Sequence, residues 1–205
     1  MSIVTLNDRA VRSVTTFGSV TGLGNMIFIK KLTASSSSTL SFVNGSSDVV
    51  LDSTYKEYVF TFKNLHVASD SANLTFQGST DTGSNYNTTV TTSYLEAYHG
   101  EGDQKGVGYE ANKDLNQSTD FQPIFWSSGS GNDECASGYL HLFNPSSTIL
   151  VKHFLHTGAH NTSYDYAINT FMGGYFNTTS AIDAIQFKAS SGNIDSGDIC
   201  LYGIL

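Results

Sequence analysis

Tyr55-Lys56-Glu57-Tyr58-Val59-Phe60-Thr61-Phe62-Lys63-Asn64-Leu65-His66-Val67 is the stretch that decides the fold class. Tyr58, Phe60 and Phe62 fall on one face of an extended chain, and Val59, Thr61 and Lys63 on the other, because successive side chains of a strand point to opposite sides. An aromatic face backed by a mixed one is the signature of a half-buried strand. Upstream, Met26 to Thr33 reads as a strand, Ser35 to Ser38 as a polar turn, and Leu40-Ser41-Phe42-Val43 as the returning strand. Asn44-Gly45 is a dipeptide suited to a tight hairpin, where both central residues take positive φ. Downstream, strands are expected at 74–77, 88–98, 124–126, 138–143, 149–155 and 164–176. The segments 181–189 and 198–205 read as a closing hairpin around 190–197. Residues 99–122 are the least regular, with a short strand near 107–110 between two exposed loops. Short strands at this spacing predict an all-β chain, an antiparallel β-sandwich of jelly-roll type, over residues 26–205. Residues 1–25 read either as an edge strand or as an N-terminal docking arm carrying Arg9, Arg12 and Phe17.

Composition narrows the function classes. Charged residues make up 14% of the 205-residue chain, against about a quarter in an ordinary globular domain. Ser, Thr, Asn and Gly take their place and solvate the surface. The net charge is −8, with 10 Lys and Arg against 18 Asp and Glu, so a nucleic-acid backbone is not an expected partner. The opening residues lack the apolar core of a signal peptide, and no run reaches the roughly 20 apolar residues of a membrane-spanning helix. The expectation is a soluble domain made in a cytoplasm, without membrane contact. On that route the Asn-x-Ser/Thr triplets at Asn44, Asn73, Asn87, Asn116, Asn161 and Asn177 are by-products of an Asn-rich surface.

Chemistry-bearing clusters are few. His141, His153, His156 and His160 gather in one region. Alternation puts His156 on the face opposite His153, and no Cys-x-x-Cys or His-Glu-x-x-His accompanies them. They read as sheet residues, and no metal or cofactor is expected. The acidic turns Asp133-Glu134 and Asp195-Ser196-Gly197-Asp198 lack the full calcium-loop pattern. Ser127-Ser128-Gly129-Ser130-Gly131 is not a nucleophile elbow leading into a helix. Cys135 and Cys200 read as two reduced thiols. No catalytic residue is selected, so the chain reads as a binding or packing domain, not an enzyme. Tyr94, Tyr98, Tyr109, Trp126, Tyr164 and Tyr166 are the rings able to form a sugar-stacking platform. Among them Tyr109, Tyr164 and Tyr166 adjoin polar loops and are the candidates for contact with a receptor or glycan.

Four segments carry a resemblance: 7–18 (Asn-Asp-Arg-Ala-Val-Arg-Ser-Val-Thr-Thr-Phe-Gly), 52–62, Leu142-Phe143-Asn144-Pro145-Ser146-Ser147, and the closing Gly192-x-x-x-Ser196-Gly197-x-Ile199-x-Leu201-Tyr202-Gly203-Ile204. Together they resemble the small structural proteins of marine tailed bacteriophages, such as those infecting cyanobacteria and pelagic bacteria. The resemblance spans nearly the whole chain and brings no functional residue with it. It implies a virion protein, made in the host cytoplasm, whose partners are other virion proteins and further copies of itself, a trimer included. The N-terminal segment then serves as an assembly arm. A tail-associated fibre or adhesin that binds a host-surface glycan or protein is the leading expectation. A capsid decoration or head-fibre protein is the alternative, and a glycan-degrading enzyme the third.

Overall fold

The computed structural model describes residues 25–205; Arg9, Arg12 and Phe17 lie outside the described residues. The described chain holds β1 (Met26–Thr33), β2 (Leu40–Val43), β3 (Glu57–Val67), β4 (Ala72–Ser79), β5 (Val90–Gly100) and β6 (Lys105–Tyr109). It continues with β7 (Gln122–Ser128), β8 (Ala136–Phe143), β9 (Lys152–Asn161), β10 (Tyr166–Phe176), β11 (Ala184–Ala189) and β12 (Ile194–Ile204), with no helix among the described residues. The strands form two antiparallel sheets packed as a sandwich. The larger has the order β1-β12-β3-β8-β9-β10-β5-β6, the smaller β2-β11-β4-β7.

The pairings are nested. β1 pairs with β12, β2 with β11, β3 with β8 and β4 with β7, and successive members of this series alternate between the sheets. Such an arrangement is one long antiparallel hairpin rolled over on itself. Two further hairpins interrupt it: β5–β6 between β4 and β7, and β9–β10 between β8 and β11. Both join the larger sheet beyond β8.

Three local expectations are corrected by this winding. The segments 181–189 and 198–205 do not form a hairpin: β11 lies in the small sheet and β12 in the large one. Nor does β2 return against β1, because the chain crosses from one sheet to the other through residues 34–39. Asn44-Gly45 turns the chain, with the Ser46 amide donating to the Val43 carbonyl, yet of the pair only Gly45 has positive φ (+77°). It therefore closes no two-residue hairpin. In the first two cases both segments place apolar residues on the same core, which they cover from opposite sides.

That core is largely aromatic. Phe42, Phe60, Phe62, Phe76, Phe125, Phe154, Phe176 and Phe187 are all buried. Phe187 of β11 meets Phe60 and Phe62 of β3 edge-on, at 5.4 and 5.3 Å between ring centroids. Each such contact adds about 0.5–1.5 kcal/mol beyond the area buried. The predicted face of β3 is seen directly, with Tyr58, Phe60 and Phe62 all turned inward and sealed.

Two histidines share this core. His156 Nδ1 donates to the Tyr139 carbonyl (3.0 Å) and His160 Nε2 to the Trp126 carbonyl (2.7 Å), while the second nitrogen of each ring has no partner. Burial pushes His156 down to about 3 and His160 down to about 4, from an ordinary 6.5. Both are therefore neutral in the folded protein at mild acidity, whereas the unfolded chain takes up protons below about 6.5. Stability is thus greatest above that pH and falls as pH drops towards 4. Two such histidines set a limiting slope of about 3 kcal/mol per pH unit. Urea unfolding between pH 7.5 and 4.5 should show this decline, and His156→Leu should flatten it. A pH-independent midpoint over that range would contradict the burial of neutral imidazoles.

Candidate functional site

Within the mostly exposed, irregular middle of the chain one charged residue is buried. The segment between β6 and β7 folds back across the inner face of β5, pinned by a chain of polar contacts. The Leu115 amide donates to Thr92 Oγ1, Thr92 Oγ1 donates to Gln122 Oε1, and Gln122 Nε2 donates to the Lys113 carbonyl. The Glu110 amide donates to the Tyr94 carbonyl and the Lys113 amide to the Glu110 carbonyl. This backbone path drives Lys113 inward until it is 7% exposed, although most of the residues around it in the segment are exposed, as expected.

There Lys113 meets Glu96. Alternation along β5 turns Tyr94, Glu96 and Tyr98 to the inner face, and Glu96 is 5% exposed. Lys113 Nζ donates to Glu96 Oε1 at 2.6 Å and lies 3.6 Å from Glu110 Oε2. It also sits over the rings of Trp126 and Tyr94, 5.3 and 5.9 Å from their centroids, a placement favourable to a cation. Glu96 Oε2, the other carboxylate oxygen, is buried without a hydrogen-bond partner.

Above this pair opens a cavity of about 190 Å³ lined by Glu96, Tyr98, Lys113, Trp126, Tyr164 and Tyr166 among others. Tyr98 and Tyr166 stack at 5.5 Å between centroids and 24° between planes. Two glycines make room for them. A Cβ on Gly106 would stand 2.8 Å from the Tyr98 ring, and one on Gly100 would stand 2.3 Å from the Tyr166 ring. Tyr164 rides on the turn between β9 and β10, which is tied by Asp165 N to Thr162 O and by Thr162 N to Tyr166 O. Its side chain is 66% exposed at the mouth. The rings are thus held on strands and a hydrogen-bonded turn, with one free face at the entrance.

Of the rings singled out from sequence, Tyr98, Trp126, Tyr164 and Tyr166 come together here. Tyr94 is buried beneath Lys113, with its hydroxyl against Thr170 Oγ1 at 3.2 Å. Tyr109 does not reach the cavity. It lies exposed on the outer face of the large sheet, opposite Leu95, with its hydroxyl donating to Asp114. Glu96 and Lys113 were missed. A carboxylate alternating with Tyr94 and Tyr98 on an aromatic face was the available signal for Glu96. Nothing in the local pattern marked Lys113.

The remaining candidates lie elsewhere. His153 is exposed on the outer face of β9 and His156 buried on the inner one, as alternation requires. His141 pairs with Glu57 on the outer face. No three His, Cys, Asp or Glu side chains among the described residues are grouped to hold a metal ion. Glu134, from one acidic turn, and Asp195, from the other, line a shallow depression with His66. Glu134 Oε2 accepts from the Gly131 amide, and Asp195 lies 3.4 Å from His66 Nδ1. Cys135 and Cys200 are both unbonded thiols.

No family model matches the chain, and neither a curated protein nor a solved structure matches it significantly.

Breaking a buried ion pair from one side leaves a stranded charge, at a cost of about 3–5 kcal/mol, whereas replacing both partners is close to neutral. Lys113→Met alone should therefore lower unfolding stability by about that amount. The double variant Glu96→Met with Lys113→Met should recover most of it. Simply additive losses in urea unfolding would show that the two groups are not coupled.

Proposed function

We propose that this chain is a structural protein of a tailed-bacteriophage particle, a tail-associated fibre or adhesin that attaches to a host-surface glycan and performs no catalysis. We further propose that its sandwich is of jelly-roll type, a fold of eight strands in two sheets that also serves viral capsid and lectin domains. The nested pairing of β1, β2, β3 and β4 with β12, β11, β8 and β7 supports that topology. The observation that carries the attachment reading is the cavity whose mouth is formed by Tyr98, Tyr164, Tyr166 and Trp126. Its walls come mainly from the two hairpins added to the eight-strand frame and the segment that follows β6. Amphipathic rings on rigid supports suit sugar recognition, and binding residues concentrate where loops and insertions decorate a scaffold.

One observation favours the second reading, a capsid decoration or head-fibre protein. Leu95, Val107, Tyr109, Tyr139, Leu155 and Phe171 are exposed on the outer face of the large sheet. Tyr109, Leu95 and Phe171 are direct cross-strand neighbours. An apolar face of this kind suits contact with another copy or another particle protein. The test is location and competition. Antibody to the purified chain should label the tails of the particles that carry it, and purified chain should coat host cells and block their adsorption. Tyr164→Ala should abolish the coating. Labelling spread over the shell, without coating of cells, would favour decoration; absence from particles would overturn the virion reading.

A further inference from the structure

We infer that the pocket takes one uncharged pyranose ring, stacked at the Tyr164–Tyr166–Trp126 mouth with a hydroxyl given to Glu96 Oε2, and that it turns away acidic sugars. This deepens the attachment reading and rests on it. Three observations set the class of ligand.

The first is size. A cavity of about 190 Å³ falls below the roughly 300–1,000 Å³ of sites that hold drug-sized molecules. It suits one ring, with the rest of a chain outside.

The second is the unpartnered acceptor. Glu96 is 5% exposed, lines the cavity, and spends only Oε1 on Lys113. A buried acceptor left empty is unfavourable, so a ligand that brings a donor gains from filling it. A sugar hydroxyl brings that donor, and the ring's C–H face brings the apolar surface that the tyrosines accept.

The third is charge. Glu96 and Glu110 against Lys113 leave the site one negative charge in excess. Lys113 is also committed, to Glu96 at 2.6 Å and to the Trp126 ring face. Among the described residues no free cation lines the cavity to receive a carboxylate, and a uronate or sialate would meet the surplus negative charge. A quaternary ammonium, the other common guest of aromatic cages, has no hydrogen to offer Oε2. It would also face the Lys113 ammonium that already lies over the Trp126 ring.

Trp126 is the only tryptophan of the chain and lines the cavity, so its emission reports occupancy. The full chain should be titrated with methyl glycosides of glucose, galactose, mannose and N-acetylglucosamine, with glucuronate and galacturonate, and with tetramethylammonium. The expected result is a saturable change with at least one neutral glycoside and at least tenfold weaker binding of the matching uronate. Tyr164→Ala, at an exposed position that leaves the core untouched, should weaken the neutral sugar at least tenfold. Glu96→Gln should narrow the gap between neutral and acidic sugars. Equal or tighter binding of the uronates, preference for tetramethylammonium, or a neutral-sugar response indifferent to Tyr164→Ala would overturn the inference. So would silence towards all of these ligands. If silence is accompanied by coating of host cells that Tyr164→Ala abolishes, the sugar class is wrong while attachment through the pocket stands. If the coating survives Tyr164→Ala, the pocket reading itself falls.

Discussion

Two opposite charges are taken out of water together where Lys113 meets Glu96, and the geometry of the pocket depends on that pairing. Neither group is tolerable there alone, since a single desolvated charge costs far more than any one packing contact returns. The lysine arrives from the segment after β6 and the glutamate from the middle of β5. Their contact therefore ties an irregular stretch to a regular strand. The rings of Tyr94 and Trp126 close around the ammonium, which brings β7 of the small sheet into the same constraint. Residues that differ in element and in sheet are thereby held against one buried contact.

Around it the molecule divides its labour. Eight nested strands, joined by Phe154 and Phe176 of the β9–β10 hairpin, enclose an aromatic core that needs no ligand, as the edge-on rings of Phe60, Phe62 and Phe187 illustrate. The added hairpins β5–β6 and β9–β10 extend the larger sheet past the frame. There the inner face of the larger sheet carries Glu96, Tyr98 and Tyr166. A rigid sheet at that place can present rings with little loss of side-chain freedom on binding. The outer face of the same extension bears apolar side chains in the open. One pair of insertions thus furnishes both a concave polar-aromatic site and a flat apolar surface.

Much of the fold was legible because alternation is a local property. The period-two patterns of β1, β3, β5 and β10 placed the strands to within a few residues, singled out the aromatic face of β3 and put His153 and His156 on opposite faces of β9. Sheet membership was not legible. Alternation says which side chains face a core, but β11 and β12 face the same core from opposite sheets and look alike in sequence. Tyr164 and Tyr166 were readable as exposed rings from their polar neighbours, and both line the pocket. Tyr109 had the same local signature and lies on the other face, because β6 turns it outward in register with Leu95. The ion pair was hidden for a different reason. Lys113 follows Glu96 by 17 positions, and only the backbone bonds of an irregular segment bring them together.

The most direct test of the account is a crystal structure of the chain grown with a neutral methyl pyranoside. One sugar ring should lie against Tyr164 and Tyr166, beside Trp126, with a hydroxyl within hydrogen-bond distance of Glu96 Oε2 and the Lys113–Glu96 contact intact. A ring seated on the outer face of the large sheet, or a pocket in which Lys113 has left Glu96 to bind the ligand, would contradict it.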